Sequence, residues 1–157
     1  MNYMIFDEVY KSNKELDKMF DNAFTDSEMV KKNKLELLVE IGELANETRY
    51  FKYWSNKPIN MELVKGEFAD CFIMTLYFFN IMNISLDEEF KKVEKYNKVD
   101  IFARLYKLAS DFYYDDSKDI IKEIFATLVE LGYIIGFTDK DMIDACMTKI
   151  NKDINMF

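Results

Sequence analysis

Apolar residues recur at i, i+3, i+4 and i+7 through most of the chain, the repeat that lines one face of an α-helix. Cap signals punctuate it. Thr25-Asp26-Ser27-Glu28 and Ser85-Leu86-Asp87-Glu88 have capping-box spacing, and Thr138-Asp139-Lys140-Asp141 is a version with Asp at the last position. Asn60, two residues after Pro58, reads as an N-cap ahead of Met61-Glu62. Asp115-Asp116-Ser117 reads as a turn, and Gly132 and Gly136 as marks of a helix end. The pattern predicts helices over roughly 4–23, 27–53, 61–82, 86–113, 118–135 and 139–154, the fourth with a break near Asn97 to Asp100. Connections this short suit antiparallel neighbours. The expected fold is all-α, an antiparallel bundle of about six helices in one domain over residues 1–157.

The third predicted helix is apolar nearly all round from Phe68 onward, as a helix buried on several sides must be. Phe68 to Leu86 is long enough to span a bilayer. It carries Asp70, Asn80 and Asn83, and a carboxylate is costly in lipid, so a buried core helix is the better reading and no membrane partner is expected. A second subunit would help to cover so apolar a helix. That favours a homodimer, with a monomer built round a central helix as the alternative.

Composition narrows the class. Half of the 157 residues are apolar and 16% are aromatic, enough for a real core and too much for a disordered chain. Four Gly and one Pro are too few to turn a β-sandwich or barrel. There is no histidine, which removes His-based acid/base chemistry, Ser-His-Asp and Cys-His nucleophiles, and imidazole-ligated zinc. A net charge of −8 argues against a nucleic-acid surface and suits divalent cations. Cys71 and Cys146 both lie in apolar stretches and make no disulfide framework, so a reducing, cytoplasmic setting is expected. Met1 to Tyr10 lacks the basic and apolar regions of a signal peptide.

The chemistry sits in carboxylates. Glu36, Glu40, Glu43 and Glu47 are spaced 4, 3 and 4, on one stripe within roughly 60°. Each neighbouring pair costs roughly a few tenths of a kcal/mol. The intervening positions are Leu, Val, Ile and Ala rather than the lysines of a solvated face, so a cation should compensate the stripe. Glu67 and Asp70 form a second i,i+3 pair, with Asp70 opening the most apolar run. If the two helices pack antiparallel, Glu40, Glu43, Glu67 and Asp70 converge. Oxygen donors without imidazole or thiolate suit Mg²⁺, or Mn²⁺, more than zinc, and Mg²⁺ favours a phosphate-bearing substrate. Gly42 costs up to about 1 kcal/mol in a helix and would admit a neighbouring helix or ligand. Read alone, an i,i+3 acidic pair is more often a solvated face.

Glu40-x-x-Glu43, 23 residues and then Glu67-x-x-Asp70 resembles the signature of the MazG-like nucleoside triphosphate pyrophosphohydrolases. Glu43-Leu-Ala-Asn46-Glu47-Thr-Arg49-Tyr-Phe51-Lys52-Tyr-Trp54-Ser55-Asn-Lys57 is similar to the segment after the metal helix in the dimeric all-α dUTPases. Asn13-Lys-Glu-Leu16-Asp17 resembles that family's first motif, which usually begins with Gln. The resemblance covers residues 5–85 well. It implies an all-helical homodimer that hydrolyses dUTP, and commonly dUDP, to dUMP with Mg²⁺. Glu40, Glu43, Glu67 and Asp70 would ligate the metal, and Glu40 and Glu43 would be the catalytic pair, Glu40 orienting or deprotonating the attacking water.

Nucleotide-binding residues would be Asn13, Asp17, Asn46, Phe51, Lys52, Trp54, Lys57, Lys149 and Asn151. Asn13 and Asn46 carry amides that match a uracil edge, although Asn13 is equally readable as an exposed helix residue. Trp54 would stack on the base or line its pocket. Lys52 and Lys57 would meet phosphate oxygens, or else a helix C-terminus. The C-terminal half departs from the family. Cys146-Met-Thr-Lys149-Ile-Asn151-Lys152-Asp-Ile-Asn155 keeps a Lys and an Asn but no Arg-Gln pair, and Ile73 or a neighbour stands where the family has a histidine. Two other readings stay open: a MazG-like pyrophosphatase for other nucleoside triphosphates, and a non-enzymatic helical module whose acidic stripe binds a basic partner.

Overall fold

The computed structural model describes residues 2–19 and 27–156, and no strand occurs among them. A short 3₁₀ turn at Met4–Phe6 leads into α1, Asp7–Asp17. Then come α2, Ser27–Thr48; α3, Met61–Ile81; α4, Asp100–Tyr114; α5, Lys118–Ile135; and α6, Asp139–Met156. Residues 20–23 of the first predicted helix, and Thr25 and Asp26 of the first capping box, lie outside the described residues.

Four helices begin where side chains satisfy the free N–H groups of a first turn. Asn60 Oδ1 accepts from Glu62 and Leu63, Asn97 Oδ1 from Val99 and Asp100, and Ser117 Oγ from Ile120. Thr138 forms a full capping box: Asp141 N–H donates to Thr138 Oγ1 at 3.1 Å, and Thr138 N–H to Asp141 Oδ2 at 2.9 Å.

Three sequence readings are corrected. The second helix stops at Thr48 rather than at residue 53, because Arg49 turns left-handed at φ 61°. Its guanidinium donates to Ser55 Oγ at 2.7 Å, and Tyr50 leaves the helix line to meet the Phe102 ring at 6.4 Å. The fourth helix begins at residue 100, not 86. At Ser85-Glu88 the box closes a turn instead of a helix: Ser85 N–H donates to Glu88 Oε2 at 2.6 Å and Ser85 Oγ to Asp87 Oδ1 at 2.6 Å. The segment beyond stays non-helical because it is held from outside. Tyr3 N–H donates to Leu86 O, and Lys122 donates to Glu89 O at 2.7 Å and lies over the Phe90 ring. Gly132 does not end a helix but sits inside α5. A Cβ there would stand 2.4 Å from Met142 Sδ and 3.1 Å from the Phe68 ring, so this glycine lets elements touch. Gly136, at φ 106°, is the C-cap.

α3 is the central helix, packed on α1, α2, α5 and α6. The i,i+3/i+4 pairs of its apolar run place Phe72 and Phe79 against Phe125 of α5, at 4.9 and 5.1 Å between ring centres. α2 lies antiparallel to α3, with Asn33 on Tyr77 at one end and Glu43 beside Glu67 at the other. It also lies antiparallel to α4: the buried Lys34 ammonium pairs with Asp116 and covers the Phe112 ring, and Gly42 backs onto Tyr106. α6 runs in the same sense as α3, since Asp141 faces Lys65 and Lys149 meets Asp70. Among the described residues, no helix is long and apolar enough to cross a membrane.

Phe125 is fully buried among Tyr3, Phe6, Phe72, Phe79 and Phe90. Phe125→Ala should cost about 3–5 kcal/mol by lost transfer and cavity formation. Urea unfolding checks this. A loss near 1 kcal/mol would mean that the core collapses into the gap.

Candidate metal centre

Antiparallel packing of α2 on α3 brings their inward acidic stripes face to face. One carboxylate oxygen each from Glu40, Glu67 and Asp70 lies within 4.8 Å of the other two, all three side chains half-buried. Glu43 adjoins them, within hydrogen-bonding reach of both Glu40 and Glu67, and its side chain is more exposed. Glu36, one turn earlier, adds its charge from the edge. Glu36, Glu40, Glu67 and Asp70 have pKa values raised in consequence. Burial is the largest cause for Glu40, followed by the charges of Asp70 and Glu43. Burial also leads for Glu67, Asp70 and Glu36.

Two observations fit a bound cation. Glu40 Oε2 and Glu67 Oε2 are buried and have no hydrogen-bond partner, a costly condition for a carboxylate oxygen. The donors are all carboxylate oxygens, which suits a hard divalent ion. One ammonium already compensates them: Lys149 of α6 meets Asp70 at 3.0 Å.

On one side of the cluster a cavity of about 210 Å³ opens between α1, α2, α3 and α6. Asn13, Asp17, Asn33, Glu36, Glu40 and Asp70 line it. Asn13 is fully buried, not an exposed helix residue. Its amide donates to Ile73 O at 3.3 Å, and its Oδ1 has no donor. Asp17 is buried too and accepts from Asn80 at 3.1 Å. Burial pushes its pKa up to about 6 against the lowering effect of that bond.

The remaining predicted residues lie elsewhere. Asn46 is exposed one turn past Glu43. Phe51, Lys52, Trp54 and Lys57 belong to the α2–α3 connection. Trp54 packs edge-on to Phe51 and Tyr53 and is 64% exposed. Lys52 lies 5.8 Å above the Phe51 ring, and Lys57 is exposed. From Glu36 at the cavity to Thr48, where α2 ends, is about 18 Å along the helix. Trp54 thus stands beyond the C-terminal end of α2, whereas Asn13 lies at the cavity beside its middle. Asn151 is exposed on α6, about 200° round from Lys149. Asn33, Tyr77, Asn80 and Asp153 also border the cavity or its acids and escaped the sequence reading. Asp153 follows Lys149 by four residues, and Asn33 precedes Glu36 by three, helical spacings that were available as signals.

Residues 5–156 match the model of a protein family described as dUTPase. No curated protein matches the chain.

Two predictions follow from the buried acids. Asp17 has a folded pKa near 6 against an ordinary value of 3.8, so its penalty is absent below about pH 4, grows between pH 4 and 6, and is complete above. Asp17→Asn should match the parent near pH 4 and exceed it at pH 7.5 by about 1–3 kcal/mol in urea unfolding. A variant less stable at pH 7.5 would assign Asp17 an ionic partner instead. Magnesium should raise Tm more at pH 8 than at pH 5, where Glu40 and Glu67 hold protons that compete with the ion. An equal shift at both values would place binding elsewhere.

Proposed function

The chain belongs to the all-α dUTPase family and is a dUTP diphosphatase, and from that premise we propose that it hydrolyses dUTP, and dUDP, to dUMP with magnesium held by Glu40, Glu43, Glu67 and Asp70. The convergence of Glu40, Glu67 and Asp70, with two orphaned carboxylate oxygens, is the observation that carries this reading. Magnesium in that position supplies charge for the phosphate oxygens and acidity for a water. Glu40, whose pKa is raised by burial and by its neighbours, takes the proton of the attacking water, and Glu43 orients it. Asn13 and Asp17 hold the nucleoside in the adjoining cavity, where the unpartnered Asn13 Oδ1 accepts from a base N–H. Lys149 leaves Asp70 for phosphate.

We infer further that the working unit is a homodimer. The placement of Trp54 beyond the end of α2, itself about 18 Å along the helix from Glu36, supports this, because a second copy is a simple source of an aromatic platform at the cavity. Exposed Leu35, Val39, Met61 and Leu63 on α2 and α3 are apolar positions that such a copy would cover. Lys52, Lys57, Asn46 and Asn151 would act at that shared surface. Both cysteines are free and buried, in keeping with a reducing cytoplasm. A broader MazG-like specificity is favoured by one feature: Ile73 or a neighbour stands where the family has a histidine, and Ile73 lies on the cavity wall with its carbonyl holding Asn13.

Release of dUMP and pyrophosphate from dUTP, measured beside dUDP and the other deoxynucleotides, tests the reading. The expected result is turnover of dUTP and dUDP that stops with EDTA. Turnover spread over several bases would move the assignment to the broader specificity. Asp70→Asn should lower kcat by roughly a hundredfold or more with helical content unchanged by circular dichroism. A variant that still turns over sinks the metal assignment.

A further inference from the structure

A second hollow lies on the other side of the acidic cluster. It is a groove of about 340 Å³ between the first half of α3 and the α6 face carrying Ala145, Thr148, Lys149 and Lys152. Lys65 and Gly66 form its α3 wall. Asp70 lines the nucleoside cavity, Lys149 lines this groove, and the two side chains are bonded at 3.0 Å. The ion pair thus joins one lining to the other.

We propose that the groove is the subsite for the two terminal phosphates, with Lys65 and Lys152 as binding residues beyond Lys149, and that metal loading opens it by taking Asp70 from Lys149. This rests on the dUTPase reading and adds the place of the leaving group. Water and dUTP give dUMP and pyrophosphate, and pyrophosphate comprises those two terminal phosphates.

Charge in the groove is arranged for such a ligand. Glu62, Asp141 and Asp144 also line it, but they are committed. Asp141 accepts from Thr138 N–H and Asp144 from Lys140, and Glu62 is the loose partner of Lys65 at 3.7 Å. Lys152 has no ion-pair partner among the described residues. Its stem leads back toward the preceding turn, as helical side chains do, and so toward Thr148 and Lys149. Gly66 is the remaining pointer. No atom lies within 4 Å of the place a Cβ would take, so packing does not require glycine. Helix propensity disfavours it there. Its effect is to leave the α3 backbone open to the groove beside Glu67. A volume near 340 Å³ is at the small end of ligand pockets and ample for a diphosphate.

Calorimetric titration of the full chain with pyrophosphate, in magnesium and then in EDTA, tests this. The parent should bind in magnesium and lose about tenfold or more in EDTA, where Lys149 stays on Asp70. Lys152→Met and Gly66→Leu should each weaken binding in magnesium by about tenfold. Gly66→Leu occupies the groove on a backbone that accepts a side chain, so its folding is not at issue. Lys118→Met, an exposed lysine at the start of α5, should bind like the parent and controls for net charge. KM for dUTP should rise in Lys152→Met by more than kcat falls. Lys149→Met should bind Mn²⁺ severalfold tighter without nucleotide, because the competing ammonium is gone. Parent-like pyrophosphate affinity in both Lys152→Met and Gly66→Leu overturns the groove, and weaker Mn²⁺ binding in Lys149→Met overturns the opening step. A parent that binds pyrophosphate in magnesium but turns over no dUTP overturns the dUTPase reading instead.

Discussion

Like charges pressed together at the edge of an apolar core govern the rest of this molecule. Glu40, Glu67 and Asp70 would separate if their helices were free to turn. They are not, because α3 is apolar on its other faces and each face is engaged by a neighbouring helix. Rotating α3 to release Asp70 would drag Phe68, Phe72 or Phe79 toward water, at roughly 1.5–3 kcal/mol for each ring exposed. Hydrophobic packing thus fixes an arrangement that electrostatics resists. The raised pKa values of three acids are the mark of that contest.

A strained site of this kind gains most from a cation, since the energy of binding includes relief of the repulsion. In the chain alone, Lys149 provides part of that relief at Asp70. It comes from α6, the last helix, which runs alongside α3 because α5 carries the chain back between them. The same contact joins a residue of one hollow's lining to a residue of the other's, so a cation that took Asp70 would rearrange both at once. Glu40 Oε2 and Glu67 Oε2 receive nothing from Lys149, and their demand for a partner is unmet by any protein atom.

The acidic centre was legible because it is local twice over. Each carboxylate pair is a helical i,i+3 repeat, and antiparallel packing of consecutive helices is the default for a short connection. Lys149 was legible as a residue but not as a partner of Asp70, since no local rule pairs positions 79 residues apart. Asn13 could be read as exposed or as functional. Its burial against Ile73 depends on the approach of α1 to α3, which periodicity does not specify. The two capping boxes make the same point. Thr138 and Ser85 carry equivalent local instructions, yet only the first starts a helix. Ser85 is followed by residues whose best partners, Tyr3 and Lys122, lie far along the chain, and tertiary bonds outweigh a local propensity worth about 1 kcal/mol. Arg49 is the sharper failure. Nothing in its type announces a left-handed conformation, and the bond that supports it reaches to Ser55.

Where α2 ends decides more than a boundary. Had the helix run on to residue 53, Phe51 and Trp54 would continue its line away from the carboxylates. The turn at Arg49 instead folds Tyr50 against α4 and leaves Phe51, Tyr53 and Trp54 as an exposed aromatic cluster at the far end of the acidic helix α2. Large aromatic side chains are seldom so exposed without a partner surface. The cavity nearer the other end is built differently: Asn13, Asp17 and Asn33 are polar, and Ile73, Met74 and the ring of Tyr77 form its apolar side. One end of α2 thus carries exposed aromatic surface, and the other a polar cavity whose ring, Tyr77, is buried. The helix between them is rigid, so its length sets how far apart the two surfaces stand.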